Sequence, residues 1–175
     1  EKYLVELPVD HYSFLFYFPA KTVGVTGAWE HSYSSEYVMA EAEPTEKYLK
    51  QIVEIASHEF FHIVTPLNIH SEIIEHFNFE KPTPSEHLWL YEGVTEWTAH
   101  MQLYRGGVIS LEQYIDKGLK EKIMISSSYF KQDWSLKKIA EESFNGGDGA
   151  NQYSNVYFKG SLVATYLDIL LLEKS

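Results

Sequence analysis

His58-Glu59-Phe60-Phe61-His62 reads H-E-x-x-H. On a helix, residues four apart share a face, so His58 and His62 can offer two imidazole nitrogens to one metal ion. Glu59 sits beside them and can reach a water held on that metal. Two neutral histidines and an adjacent carboxylate base are what zinc-assisted hydrolysis needs, together with a third protein ligand. Downstream, Leu88-Trp89-Leu90-Tyr91-Glu92-Gly93-Val94-Thr95-Glu96-Trp97 places Glu92 and Glu96 again four apart. Two carboxylates stacked in an apolar, aromatic setting are costly unless paired or bound to a cation. Glu92 as the third zinc ligand, with Glu96 holding a ligand histidine by its free N–H, resolves that cost. The expected cofactor is one Zn2+ per chain, on His58, His62 and Glu92.

These side chains need helices to carry them. Apolar residues at Leu49, Ile52, Val53, Ala56, Phe60 and Ile63 have helical spacing, with Thr45 as N-cap and Pro66 marking the end. Thr83-Pro84-Ser85-Glu86 reads as the capped start of a second helix, which Gly106 and Gly107 stop. Helices are expected near 45–64, 84–105, 110–126, 135–143 and 156–173, the third opened by a Ser110–Gln113 capping box. Asn145 to Gly149 reads as a loop. Strands are expected at Tyr3 to Leu7, Ser13 to Phe18 and Glu30 to Met39. Strands first and helices after is an α+β layout.

H-E-F-F-H followed by W-L-x-E-G-x-T-E resembles the gluzincin metallopeptidases, and most of all the M61 glycyl aminopeptidase family, a relative of the M1 aminopeptidases. Gly27-Ala28-Trp29-Glu30-His31 is similar to the G-G-L-E-H of M61 and the G-A-M-E-N of M1. Tyr157-Phe158-Lys159-Gly160 matches the Y-x-K-G of M1. The resemblance implies a thermolysin-like zincin catalytic domain over 1–175, with an N-terminal mixed β-sheet followed by a mainly helical half. It also implies flanking β and PDZ-like domains in a larger, soluble bacterial protein, cytoplasmic or periplasmic. It implies an aminopeptidase: Glu59 the base, Tyr157 the support of the tetrahedral intermediate, Glu30 the partner of the substrate's free α-amine, with His31 beside it. Tyr153 and Tyr166 compete with Tyr157 for its role, and His100 extends the Glu92–Glu96 line by one turn. Two departures stand out. Twenty-nine residues separate His62 from Glu92, and no Arg or Lys follows His62 until Lys81.

The net charge of −11 argues against nucleic acid and anionic membranes as partners. With no cysteine there is no disulfide and no thiolate zinc site. No apolar run is long enough to span a bilayer. The oligomeric state is left open. Two other readings share the same zinc site: an endopeptidase with an open cleft, separated by whether Glu30 lies along the cleft, and a non-catalytic zinc scaffold, against which Glu59 argues.

Overall fold

The structure is a computed structural model and describes residues 8–21, 24 and 26–174. The strand expected at Tyr3 to Leu7 lies outside these residues. Strands β1 (Ser13–Tyr17), β2 (Gly27–Glu30) and β3 (Ser34–Val38) form a sheet in the order β1-β3-β2. β1 runs parallel to β3 and β2 antiparallel to it, so the sheet is mixed. The central strand alternates: Ser35 and Tyr37 are buried, and Glu36 between them is exposed. Tyr37 stacks on Phe16 at 4.3 Å, and its hydroxyl donates to the Ala56 carbonyl at 3.5 Å. That contact lays helix α1 (Glu46–Phe61) on the sheet. The single strand expected from Glu30 to Met39 is two. The His31 N–H donates to the Ser34 carbonyl at 2.8 Å, and this turn ends β2 at Glu30, opposite Ser35.

Thr45 caps α1 as expected, accepting from the Tyr48 N–H. The expected apolar stripe is buried only toward the C-terminal end. Leu49 and Val53 are 49 % and 42 % exposed, whereas His58, Glu59 and Phe61 are buried. Leu49 and Val53 instead line a surface groove with Leu103, Val108 and Ile109. The second helix starts later than the sequence suggests. Ser85, not Thr83, accepts the first free N–H, from His87 at 3.2 Å, while Glu86 is drawn outward by Lys137. A π-helical segment, Leu90–Val94, then runs straight into α3 (Thr95–Arg105).

The Ser110–Gln113 capping box forms. It opens a continuous helical run made of α4 (Leu111–Gln113), a second π-helical segment (Tyr114–Glu121) and α5 (Lys122–Tyr129). Helices α6 (Leu136–Glu142) and α8 (Asn155–Leu172) stand where expected. The short helices α2 (Glu72–Glu75) and α7 (Gly147–Gln152) have no counterpart in the expected elements. Helix α7 replaces part of the expected loop; Gly146 and Gly147, at φ 69° and 50°, make the left-handed turn into it. A small mixed sheet followed by helices is the α+β layout read from the sequence. No helix among the described residues is long and apolar enough to cross a membrane.

One close approach sets up the site. The π-helical segment crosses α8 at Gly93 and Gly160. A Cβ on Gly93 would sit 2.6 Å from the Gly160 Cα and 2.7 Å from the Val156 carbonyl. Only glycine allows this crossing, and it brings Glu92, beside Gly93, up to Tyr157, one turn before Gly160. Trp134, Ile139 and Val156 form the core behind the crossing, with Leu88, Trp89, Leu136 and Tyr157 packed on it.

Candidate metal centre and active site

Helix α1 turns two ridges in different directions. Phe60 and Ala56 meet the sheet, while His58 and His62 face α3. Each histidine has one ring nitrogen fixed by a neighbour. His62 donates its Nδ1–H to the Thr65 carbonyl at 2.8 Å, and Thr65 is itself tied to Thr95 of α3. His58 donates its Nδ1–H to Glu96 Oε2 at 2.9 Å. The acceptors fix the Nδ1–H of each ring and leave both Nε2 atoms pointing inward. There they meet Glu92, whose Oε2 lies 3.2 Å from His58 Nε2 and 3.5 Å from His62 Nε2. Ligand atoms about 2.0–2.1 Å from a tetrahedral ion stand about 3.3–3.4 Å apart. The two distances to Glu92 are therefore those of a zinc ligand set, and the N/O chemistry of the three side chains suits that ion. Carboxylate and ring atoms of Glu59, His58 and His62 also lie within 4.8 Å of one another.

The electrostatics follow from burial and pairing. Burial alone would lower the His58 pKa, but its hydrogen bonds to Glu92 and Glu96 raise it to about 10. Burial opposes the charge on Glu96, yet His58 and then Lys122 hold its carboxyl well below the usual range. Glu92 is also lowered, with burial outweighed by His58 and His62 and by the Tyr157 hydroxyl. Glu59 behaves differently. Burial, helped by the charges of Glu30 and Glu92 and opposed by His58, pushes it up to about 7. A carboxyl that titrates near neutrality is suited to taking and returning a proton.

The remaining predicted residues gather around this centre. The Tyr157 hydroxyl favours the charged form of Glu92, and its ring lies 5.7 Å from that of His58. Tyr153 stands one turn earlier with its hydroxyl 3.2 Å from that of Tyr157, whereas Tyr166 is 62 % exposed and away from the site. Glu30 ends β2, and its charge is felt by Glu59, Tyr12 and Tyr153, which places it on the sheet side of the centre. His31 is exposed, and no bond joins it to Glu30 among the described residues. His100 lies against Glu96, 3.4 Å from its carboxylate. A cleft of ≈ 290 Å³ opens over Glu54, Ile55, His58, Glu59, Glu96, His100 and Tyr157.

Two further residues at the site are absent from the sequence reading. Tyr12 packs edge-on against Phe60 and donates its hydroxyl to the Glu59 carbonyl at 3.3 Å. Lys122 reaches in from α5 to Glu96. Tyr12 carries no signal in its surroundings. Lys122 carries none either: the apolar spacing of its helix is Ile115, Leu119 and Ile123, and only the structure shows Lys122 buried with Tyr114, Gly118 and Ser126.

Comparison with known proteins agrees with this fold. The crystal structure of an aminopeptidase N family protein from Idiomarina loihiensis matches with a TM-score of 0.71 at 22 % identity. The match covers 95 % of this chain and 30 % of that one, and at this identity it concerns the fold alone. No curated protein matches the chain. Residues 51–163, from helix α1 through the Gly93–Gly160 crossing, match the family model of the M61 glycyl aminopeptidases. The chain therefore belongs to the M61 glycyl aminopeptidase family.

Proposed function

We propose that this chain is the catalytic unit of a zinc-dependent aminopeptidase with a thermolysin-like zincin arrangement. The observation that carries the reading is the convergence of two histidine Nε2 atoms and one Glu92 oxygen at 3.2 and 3.5 Å, with Glu59 beside them. His58, His62 and Glu92 would hold the ion, which when bound acidifies water and polarises a carbonyl. Glu59, beside the two histidines, takes the proton of the attacking water and passes it to the leaving amine. Tyr157 donates its hydroxyl to the developing oxyanion, a bond worth about 2–4 kcal/mol in a dry site. Glu96 keeps the His58 ring aligned by accepting its Nδ1–H.

Glu30 is assigned to the substrate's ammonium. It stands at the end of an edge strand, on the sheet side of the centre, where its charge already reaches Glu59 and Tyr153. With Glu92 committed to the ion and Glu96 to Lys122, Glu30 has no ion pair among the described residues, so a cationic substrate end is favoured beside it. The family's flanking β and PDZ-like domains belong to the same reading. The test compares peptides with a free N-terminus against their N-acetylated forms, using zinc-loaded protein. Cleavage of the free forms alone, with Glu30→Ala losing that discrimination but keeping its zinc, is the expected result. Equal cleavage of both forms would move the assignment to an endopeptidase.

A further inference from the structure

Lys122 is 4 % exposed, an unusual place for a lysine. Its Nζ bonds Glu96 Oε1. The other oxygen of the same carboxylate, Oε2, accepts from His58 Nδ1 at 2.9 Å. His100 Nδ1 is close to the Oε1 side, at 3.4 Å, but points more directly at the Glu96 carbonyl, 3.2 Å away. One carboxylate is thus held at both ends, by a cation and by a ligand imidazole. A carboxylate fixed only through Oε2 can still swing about its own side-chain bonds, and the imidazole would swing with it. Fixing Oε1 removes that freedom.

Stability alone gives a poor account of the pair. Burying two opposite charges costs desolvation that their attraction does little more than offset, and apolar replacements are often neutral or stabilising. Function gives a better one. Lys122 and Glu96 together add no net charge to a cleft already holding Glu30, Glu59 and Glu92, yet they present a charged acceptor to His58. A neutral acceptor would be weaker.

We propose that Lys122 is a positioning residue for the metal centre. It locks the Glu96 carboxylate, which locks the His58 ring, which aims Nε2 at the point it shares with His62 Nε2 and Glu92. The proposal rests on the metal reading above. Lys122 acts only through Glu96, and that sets the test.

Zinc affinity is measured by competition with a chromophoric chelator, at one pH and well below the unfolding transition. The proteins compared are wild type, Lys122→Met, Glu96→Gln and the double variant. Each single change is expected to weaken zinc binding about 10–100-fold. The double variant is expected within about threefold of Glu96→Gln alone, because the ammonium then has nothing to hold. The visible bands of cobalt(II) in place of zinc are expected to shift in the same way in all three variants. If Lys122→Met does not fold, Lys122→Gln, which is polar but uncharged and one atom too short to replace the ammonium at Glu96, takes its place with the same expected loss. A purely structural lysine would lower the unfolding temperature of metal-free protein and leave the zinc affinity of folded protein unchanged; that result overturns the proposal. So does a double variant whose loss is the product of the two single losses. A wild-type chain that binds no zinc at all overturns the metal reading and the proposal together, and this outcome is distinct from a loss missing only in the Lys122 variant.

Discussion

The glycine crossing can be tested by adding a single methyl group. In Gly93→Ala the new Cβ would meet backbone on the facing helix, at 2.6 Å from the Gly160 Cα and 2.7 Å from the Val156 carbonyl. Ordinary contact begins at 3.4 Å, so the π-helical segment and α8 must part by about 0.8 Å. Neither contact is a flexible side-chain tip, so the crossing itself has to open. Overpacking of this kind costs about 1–3 kcal/mol, and alanine's better helix propensity returns up to about 1 kcal/mol. A net loss of about 1–2 kcal/mol lowers the melting temperature by roughly 2–8 °C in a domain of this size. The same movement carries Glu92 away from the two Nε2 atoms and from Tyr157, so zinc affinity is expected to fall by about tenfold or more. The control is Gly118→Ala, whose Cβ would meet only the Tyr114 ring at 3.3 Å, a side chain that can adjust. It is expected to keep both its melting temperature and its zinc affinity. The assay is thermal unfolding with chelator and with zinc, plus zinc competition. A Gly93→Ala protein that melts with the wild type and binds zinc equally well would refute the claim that this crossing places Glu92.

Glu59→Gln keeps the shape of the base but cannot accept the proton, so turnover is expected to fall at least about a hundredfold with zinc retained. Tyr157→Phe is expected to lower kcat with little change in KM, since its bond to the oxyanion forms in the transition state. Zinc affinity is measured alongside, because the Tyr157 hydroxyl also favours the charged form of Glu92. Zinc affinity itself is expected to rise with pH. The His58 pKa is raised to about 10, so at neutral pH the metal must displace a proton from Nε2, and affinity should gain about tenfold per pH unit from pH 6 to 8. In metal-free protein the same proton adds stability that is complete below about pH 6.5 and is lost as the pH rises through about 10. A pH-independent zinc affinity, or metal-free stability that holds level between these limits, would contradict the assignment.

What is legible in the sequence is what local spacing dictates. Residues four apart on one helix must share a face, which is why His58 pairs with His62, and Glu92 with Glu96, on spacing alone. The Thr45 and Ser110 caps are equally local. The misreadings lie where a distant contact outweighs a local preference. Thr83-Pro84-Ser85-Glu86 has the form of a helix start, but Lys137 takes Glu86 and Ser85 does the capping. Leu49 and Val53 continue an apolar period, yet they open onto a surface groove beside Leu103, Val108 and Ile109 rather than into the core, and both stay exposed. The Gly93–Gly160 contact joins two motifs far apart in the chain, and neither motif alone explains its glycine. Lys122 is not readable at all, because both its burial and its partner Glu96 come from packing against other helices.

The central claim is that His58, His62 and Glu92 make one metal site, and the most direct measurement is zinc content per chain. The protein is purified without chelator, supplied with zinc and freed of excess, and metal is counted by elemental analysis for the wild type and Glu92→Ala, with circular dichroism confirming that both are folded. The account predicts one zinc per wild-type chain and loss of most of it in the variant, since two histidines are left without their third ligand. A folded Glu92→Ala protein that keeps its zinc at unchanged affinity would contradict it.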